Sequence, residues 1–205
     1  MQPMSSAITG ALSQAQRAVE ATGRSLGETE SGRSLTESDN AKREWVMGRR
    51  PEETDRALRA SLTSSLSVEV VPVTELRFPV EGGYREVVAG CNVSGPAENM
   101  QAALAKVEGA SIGPTKDQAE EWLAILQVAT AGGRKTEANH RLALGVYSGA
   151  LTRYPADVAK EACYRLATSS KWFPTLADVI EQCDLLSAPR MLMLQGLRRR
   201  CGLPA

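Results

Sequence analysis

Between Pro114 and about Leu186 the chain is cut into helix-length pieces by residues that start or stop helices, which limits it to a bundle of short helices. Thr115 and Gln118 fit a capping box, so a helix is predicted over 116–131, with Trp122, Leu123, Leu126 and Ala129/Thr130 on one side. Gly132-Gly133 stops it. Thr136 can cap the next helix, in which Leu142, Val146, Gly149/Ala150 and Arg153 recur at steps of three and four. Leu144, Tyr147 and Leu151 widen that buried arc. Pro155 disfavours a helical Tyr154 and opens a third helix, with Val158, Ala162, Cys163 and Leu166 inward. Thr175 and Asp178 cap a fourth, whose inner stripe is Leu176, Val179, Ile180 and Cys183.

Composition points the same way. Aromatic residues make up 4% of 205 residues and phenylalanine occurs twice, so a core must be built mainly from Leu, Ala and Val, which favours an all-α fold. Lys plus Arg equals Asp plus Glu at 24 each, so the whole chain carries no field that would by itself hold nucleic acid. The cysteines at 91, 163, 183 and 201 form no C-x-x-C pair, and His140 is the single histidine. No metal site or cofactor is expected, and the thiols read as reduced and structural, as in a cytoplasmic protein. The first residues lack a basic and apolar signal pattern, and no apolar run has the length of a membrane span.

Ahead of the bundle the pattern is weaker. Residues 1–40 are rich in Ser, Thr, Gly, Glu and Gln and read as disordered, with a short helix allowed around Ala11–Ala21. Residues 41–66 hold an apolar Trp45-Val46-Met47 cluster beside Lys42, Arg43, Arg49 and Arg50. Pro51 followed by Glu52, Glu53 and Asp55 reads as a helix start, with Ala57, Leu58 and Leu62 as an apolar stripe. This segment is either a short amphipathic helix with a solvated charged face or a contact for nucleic acid or a partner protein, with Trp45 as the anchor. Residues 67–95 are β-branched and broken by Pro72 and Pro79, which suits an extended linker or a small hairpin turning at Gly82-Gly83 and packed on the helices. The bundle domain is expected over 96–186, its first helix carrying Met100, Ala103, Leu104 and Val107 on one face.

Two later segments carry the remaining candidate binding residues. In Ser170–Val179 Pro174 forces Phe173 to be extended, so Phe173 reads as an aromatic anchor under the bundle. Trp172 beside Lys171 is open to a surface role. Residues 187–205 are expected to begin a last helix after Pro189, with Met191, Leu192, Leu194 and Leu197 ahead of Arg198, Arg199 and Arg200. Those arginines either complement the helix dipole or meet an acidic partner or phosphate, with the apolar side offered to a partner groove.

A segment with Ala150, Leu151, Tyr154, Pro155 and Val158, a helix, and then Lys171, Trp172, Phe173, Pro174, Thr175, Leu176, Ala177, Asp178 and Val179 resembles a known family. It is similar to the helical domain of bacteriophage replication proteins that load or inhibit the host's replicative DNA helicase. The resemblance covers roughly residues 116–186. It implies a cytoplasmic replication accessory protein whose partner is the hexameric helicase, with single-stranded DNA as a further candidate partner. Some such loaders hydrolyse ATP, and this chain departs from them because it has no G-x-x-x-x-G-K-[ST] loop. Loading would then rest on differential binding of helicase conformations.

Catalysis is not expected: His140 has no evident nucleophile partner, and the carboxylates are spread along helix faces. The competing expectation is a small helical regulator that binds DNA through Arg198–Arg200 and the Lys42–Arg50 cluster, or a phage assembly or scaffold protein.

Overall fold

Local chemistry sets most element boundaries in the computed structural model, which describes residues 37–77, 85–130 and 137–204. Helix α1 is Glu37–Met47 and α2 is Pro51–Leu66. Pro51 occupies the first position of α2, where its missing N–H costs nothing, and the Glu53 carboxylate accepts the Arg50 N–H at 3.2 Å. Strands β1 (Glu69–Arg77) and β2 (Arg85–Ser94) pair antiparallel, with Val70 opposite Val93 and Pro72 opposite Cys91. The register slips between Val73 and Thr74. Gly95 leaves β2 at φ 141°, where a Cβ would stand 2.7 Å from the Ser67 carbonyl oxygen, so only glycine fits that corner.

The remaining helices are α3 (Ala97–Gly109), α4 (Lys116–Ala129), α5 (Glu137–Leu151), α6 (Ala156–Ser169) and α7 (Leu176–Arg200). Both capping boxes form: the Thr115 hydroxyl accepts the Gln118 N–H at 3.2 Å, and the Thr175 hydroxyl accepts the Asp178 N–H at 3.3 Å. The fold is all-α, seven helices with a small hairpin among the described residues. No described helix is long and apolar enough to cross a membrane.

Two large cores lie side by side, and a small third cluster joins Val46, Leu58 and Ala110. The first joins α4, α5, α6 and the N-terminal half of α7 through Trp122, Leu123, Leu126, Leu151, Val158, Cys163, Val179 and Cys183. The second joins α2, β1, α3 and the C-terminal half of α7 through Leu62, Val68, Val70, Met100, Leu104, Met193, Leu194 and Leu197. Helix α7, about 38 Å long at 1.5 Å per residue, is the shared wall. The hairpin therefore takes the packed alternative of the two the sequence left open. It lies against α7 at Gly196, where an added Cβ would sit 2.9 Å from Val93 Cγ2 and 3.2 Å from the Cys91 carbonyl oxygen.

Three expectations are corrected. Pro189 does not begin a new helix: it lies inside α7, which runs unbroken from Leu176 to Arg200. Its missing N–H deprives only the Leu185 carbonyl of a donor, and Leu185 is on the exposed side, where water can serve instead. In α5 the buried face is Leu144, Tyr147, Ser148 and Leu151, whereas Leu142 and Val146 are 71% and 50% exposed. Apolar residues occupy both faces of α5, so periodicity could not choose between them. Residues Glu37–Asn40 begin α1 rather than ending a disordered tail. The Ala11–Ala21 helix, the Gly82-Gly83 turn, the Gly132-Gly133 stop and the Thr136 cap lie outside the described residues.

Candidate partner-binding surfaces

The connector between α6 and α7 is anchored by its second half. Pro174 is buried and its carbonyl accepts the Tyr147 hydroxyl at 3.1 Å, while the Phe173 ring lies 5.6 Å from the Tyr147 ring. Thr175 then locks the start of α7, its N–H and hydroxyl donating to the Asp178 carboxylate at 2.7 and 2.8 Å. These bonds hold the fully exposed Asp178 carboxyl below its ordinary range. With the neighbours so fixed, Trp172 is left 64% exposed, the Lys171 ammonium 5.5 Å from its ring centre. The residues that carry the family resemblance thus divide by task. Leu151, Pro155, Val158 and Val179 are core, Thr175 and Asp178 cap, and Lys171 and Trp172 are exposed.

The tail residues separate too. Leu194 is 5% exposed and belongs to the second core, so it is not available to a partner groove. Met191, one turn away, is 44% exposed. Arg198 pairs with Glu108 of α3 at 3.2 Å across the surface, and Arg199 and Arg200 are exposed in the last turn of α7, where their charge suits the dipole.

Trp45 is placed far along the chain from these residues, on α1, and is 39% exposed. The Arg49 guanidinium lies 4.5 Å from its ring centre and donates to the Trp45 carbonyl at 2.7 Å. One side of this α1–α2 elbow walls a groove of about 460 Å³ formed by Ala41, Lys42 and Trp45, Leu58 and Ser61 of α2, Ala105, Lys106 and Gly109 of α3, and Ala110 just beyond it. On the other side Met47, Arg49 and Arg50 face Trp122, Lys160 and Tyr164 across a cleft of about 440 Å³. Lys160 donates to the Met47 carbonyl at 3.1 Å and so closes the C-terminal end of α1.

Sequence reasoning missed a buried ionic cluster centred on Arg190. Arg190, 1% exposed, donates from Nε to Asp55 Oδ1 at 2.7 Å, from Nη1 to Asp157 Oδ1 and the Ala110 carbonyl at 2.9 Å each, and from Nη2 to Asp157 Oδ2 at 2.6 Å. One guanidinium thereby ties α7 to α2, α3 and α6. The only signal for it was an arginine set directly between Pro189 and the apolar Met191–Leu194 run. Burial, opposed by Arg190 and reinforced by Asp157, pushes the Asp55 carboxyl above its ordinary value. Every donor atom of the guanidinium is engaged in holding helices together, so it acts as a structural clamp.

Tyr154 donates to Asp184 Oδ1 at 2.6 Å, and burial with that bond pushes its hydroxyl up to about 12. Among the described residues no group of His, Cys, Asp and Glu is arranged to hold a metal ion. No protein-family model matches the chain, and neither a curated protein nor a solved structure matches it.

Proposed function

We propose that the chain is a non-catalytic replication accessory protein that binds a hexameric replicative helicase in the bacterial cytoplasm and loads or inhibits it through binding energy alone. The resemblance over residues 116–186 supports the choice of partner. The observation that carries a binding role is Trp172: a large apolar ring, exposed beside a cation, on a connector fixed by Phe173, Pro174 and the Thr175 cap. Trp and Arg dominate binding hot spots, and an anchor already held in place loses little entropy when it docks.

The test is size-exclusion chromatography with light scattering on the protein mixed with the replicative helicase of a bacterial host. The expected result is a stable complex that W172A weakens at least ~10-fold while leaving the thermal melt unchanged. Absence of a complex at micromolar concentrations would sink the reading. Arg199 and Arg200, exposed and unpaired by any described carboxylate, favour a second reading, direct binding of single-stranded DNA. A steep fall of affinity with salt would mark it, because phosphate contacts release counterions.

A further inference from the structure

The Trp45 groove is apolar at its base and one-signed at its rim. Its floor is made of Leu58, Ala105 and Ala110, all short or buried, and Ala41, Ser61 and Gly109 keep its sides low. The residues that line it include two lysines and no carboxylate. Lys42 has Asp39 at 3.5 Å, outside the groove. Lys106 is different, because its ammonium is held by neutral acceptors, the Ser61 hydroxyl at 2.5 Å and the Ser65 hydroxyl at 3.2 Å. A cation fixed in place by two hydroxyls keeps its full charge for an incoming anion. The Trp45 ring forms the facing wall and carries Arg49, which stiffens it.

The geometry points to this groove as a docking site for an acidic amphipathic segment of a partner protein, apolar side chains entering between Trp45 and Ala105 and a carboxylate meeting Lys106. Charge complementarity selects that occupant: a basic segment would meet Lys42 and Lys106, and a wholly apolar one would leave the Lys106 charge covered and unpaired. The volume of about 460 Å³ is within the usual range for a specific pocket. The site is independent of Trp172 and of the helicase reading, so either can fail alone.

The experiment is selection of a random peptide library on the full-length protein, with counter-selection on K106E, followed by affinity measurement of the enriched peptides. The expected peptides combine spaced apolar residues with Asp or Glu, bind the K106E and W45A variants at least ~10-fold more weakly, and shift Trp45 emission to the blue in a W172F background. K106E keeps the test sound if W45A fails to fold, because Lys106 is exposed. No enrichment, enrichment without acidic bias, or equal binding by K106E would overturn the proposal. So would competition of an oligonucleotide for the same site, or a red shift of Trp45 emission on deleting residues 1–36, which would show that the chain fills its own groove.

Discussion

Arg190 grips Asp157 with two parallel hydrogen bonds, Nη1 to Oδ1 at 2.9 Å and Nη2 to Oδ2 at 2.6 Å, and both side chains are at most 1% exposed. The fork matches the carboxylate plane, and Asp157 Oδ1 also accepts the Val158 N–H at 3.0 Å at the start of α6. Removing Arg190 strands two buried carboxylates. R190M is expected to cost about 3–5 kcal/mol, lowering Tm by roughly 6–20 °C for a chain of this size. Combining R190M with D55L and D157L should recover part of the loss, read by thermal melts of the single and triple variants.

Asp55 carries the surplus negative charge of that clamp, with one bond to Arg190 where Asp157 has two. Its folded pKa is raised above the ordinary 3.8, so the folded state holds the proton more tightly. The associated stability is fully present below pH 3.8 and is lost as pH rises through the folded value. D55N cannot titrate and should lack this slope, and it should cost less than D157N. Urea unfolding at a series of pH values from acid to neutral measures both.

The cap at Thr175–Asp178 responds in the opposite direction. Asp178 has a lowered pKa because the Thr175 hydroxyl and N–H bond its charged form, so its contribution is present above pH 3.8 and is lost as pH falls through the folded value. D178N should remove that acid sensitivity. At the other capping box, T115A is expected to cost about 1 kcal/mol, measured by chemical denaturation.

Gly196 sets the distance between α7 and the hairpin. G196L should cost about 1–3 kcal/mol by overpacking against Val93 and Cys91. The damage should be local: hydrogen exchange is expected to speed up in β2 before the α4–α6 core is affected.

Cys163 is buried, which pushes its thiol up to about 12, and burial beside Cys163 raises Cys183 as well. Both should resist iodoacetamide in the native protein, whereas the partly exposed Cys201 should alkylate readily. Mass spectrometry of native and denatured samples distinguishes the two classes.

Much of the secondary structure was legible. The starts of α2, α4, α6 and α7 follow Pro51, Thr115, Pro155 and Thr175, because caps and prolines act within about one helical turn. The buried stripe of α3, Met100, Ala103, Leu104 and Val107, was equally plain from spacing. Of the candidate binding residues, Trp172 could be read as surface because Pro174 dictates the local backbone. Leu194 could not be placed, because an apolar residue on an amphipathic helix looks the same whether it meets its own core or another protein.

Sequence alone set the starts of α2, α4, α6 and α7, the aliphatic character of the core, and the aromatic connector ahead of the Thr175 cap. Tertiary structure alone decided which face of α5 is buried, that α7 continues through Pro189, and that Arg190 finds Asp157 and Asp55, 33 and 135 residues away. The reason is range. Capping and propensity are satisfied by neighbours in the chain, while a buried charge must be met by whatever groups packing brings to it.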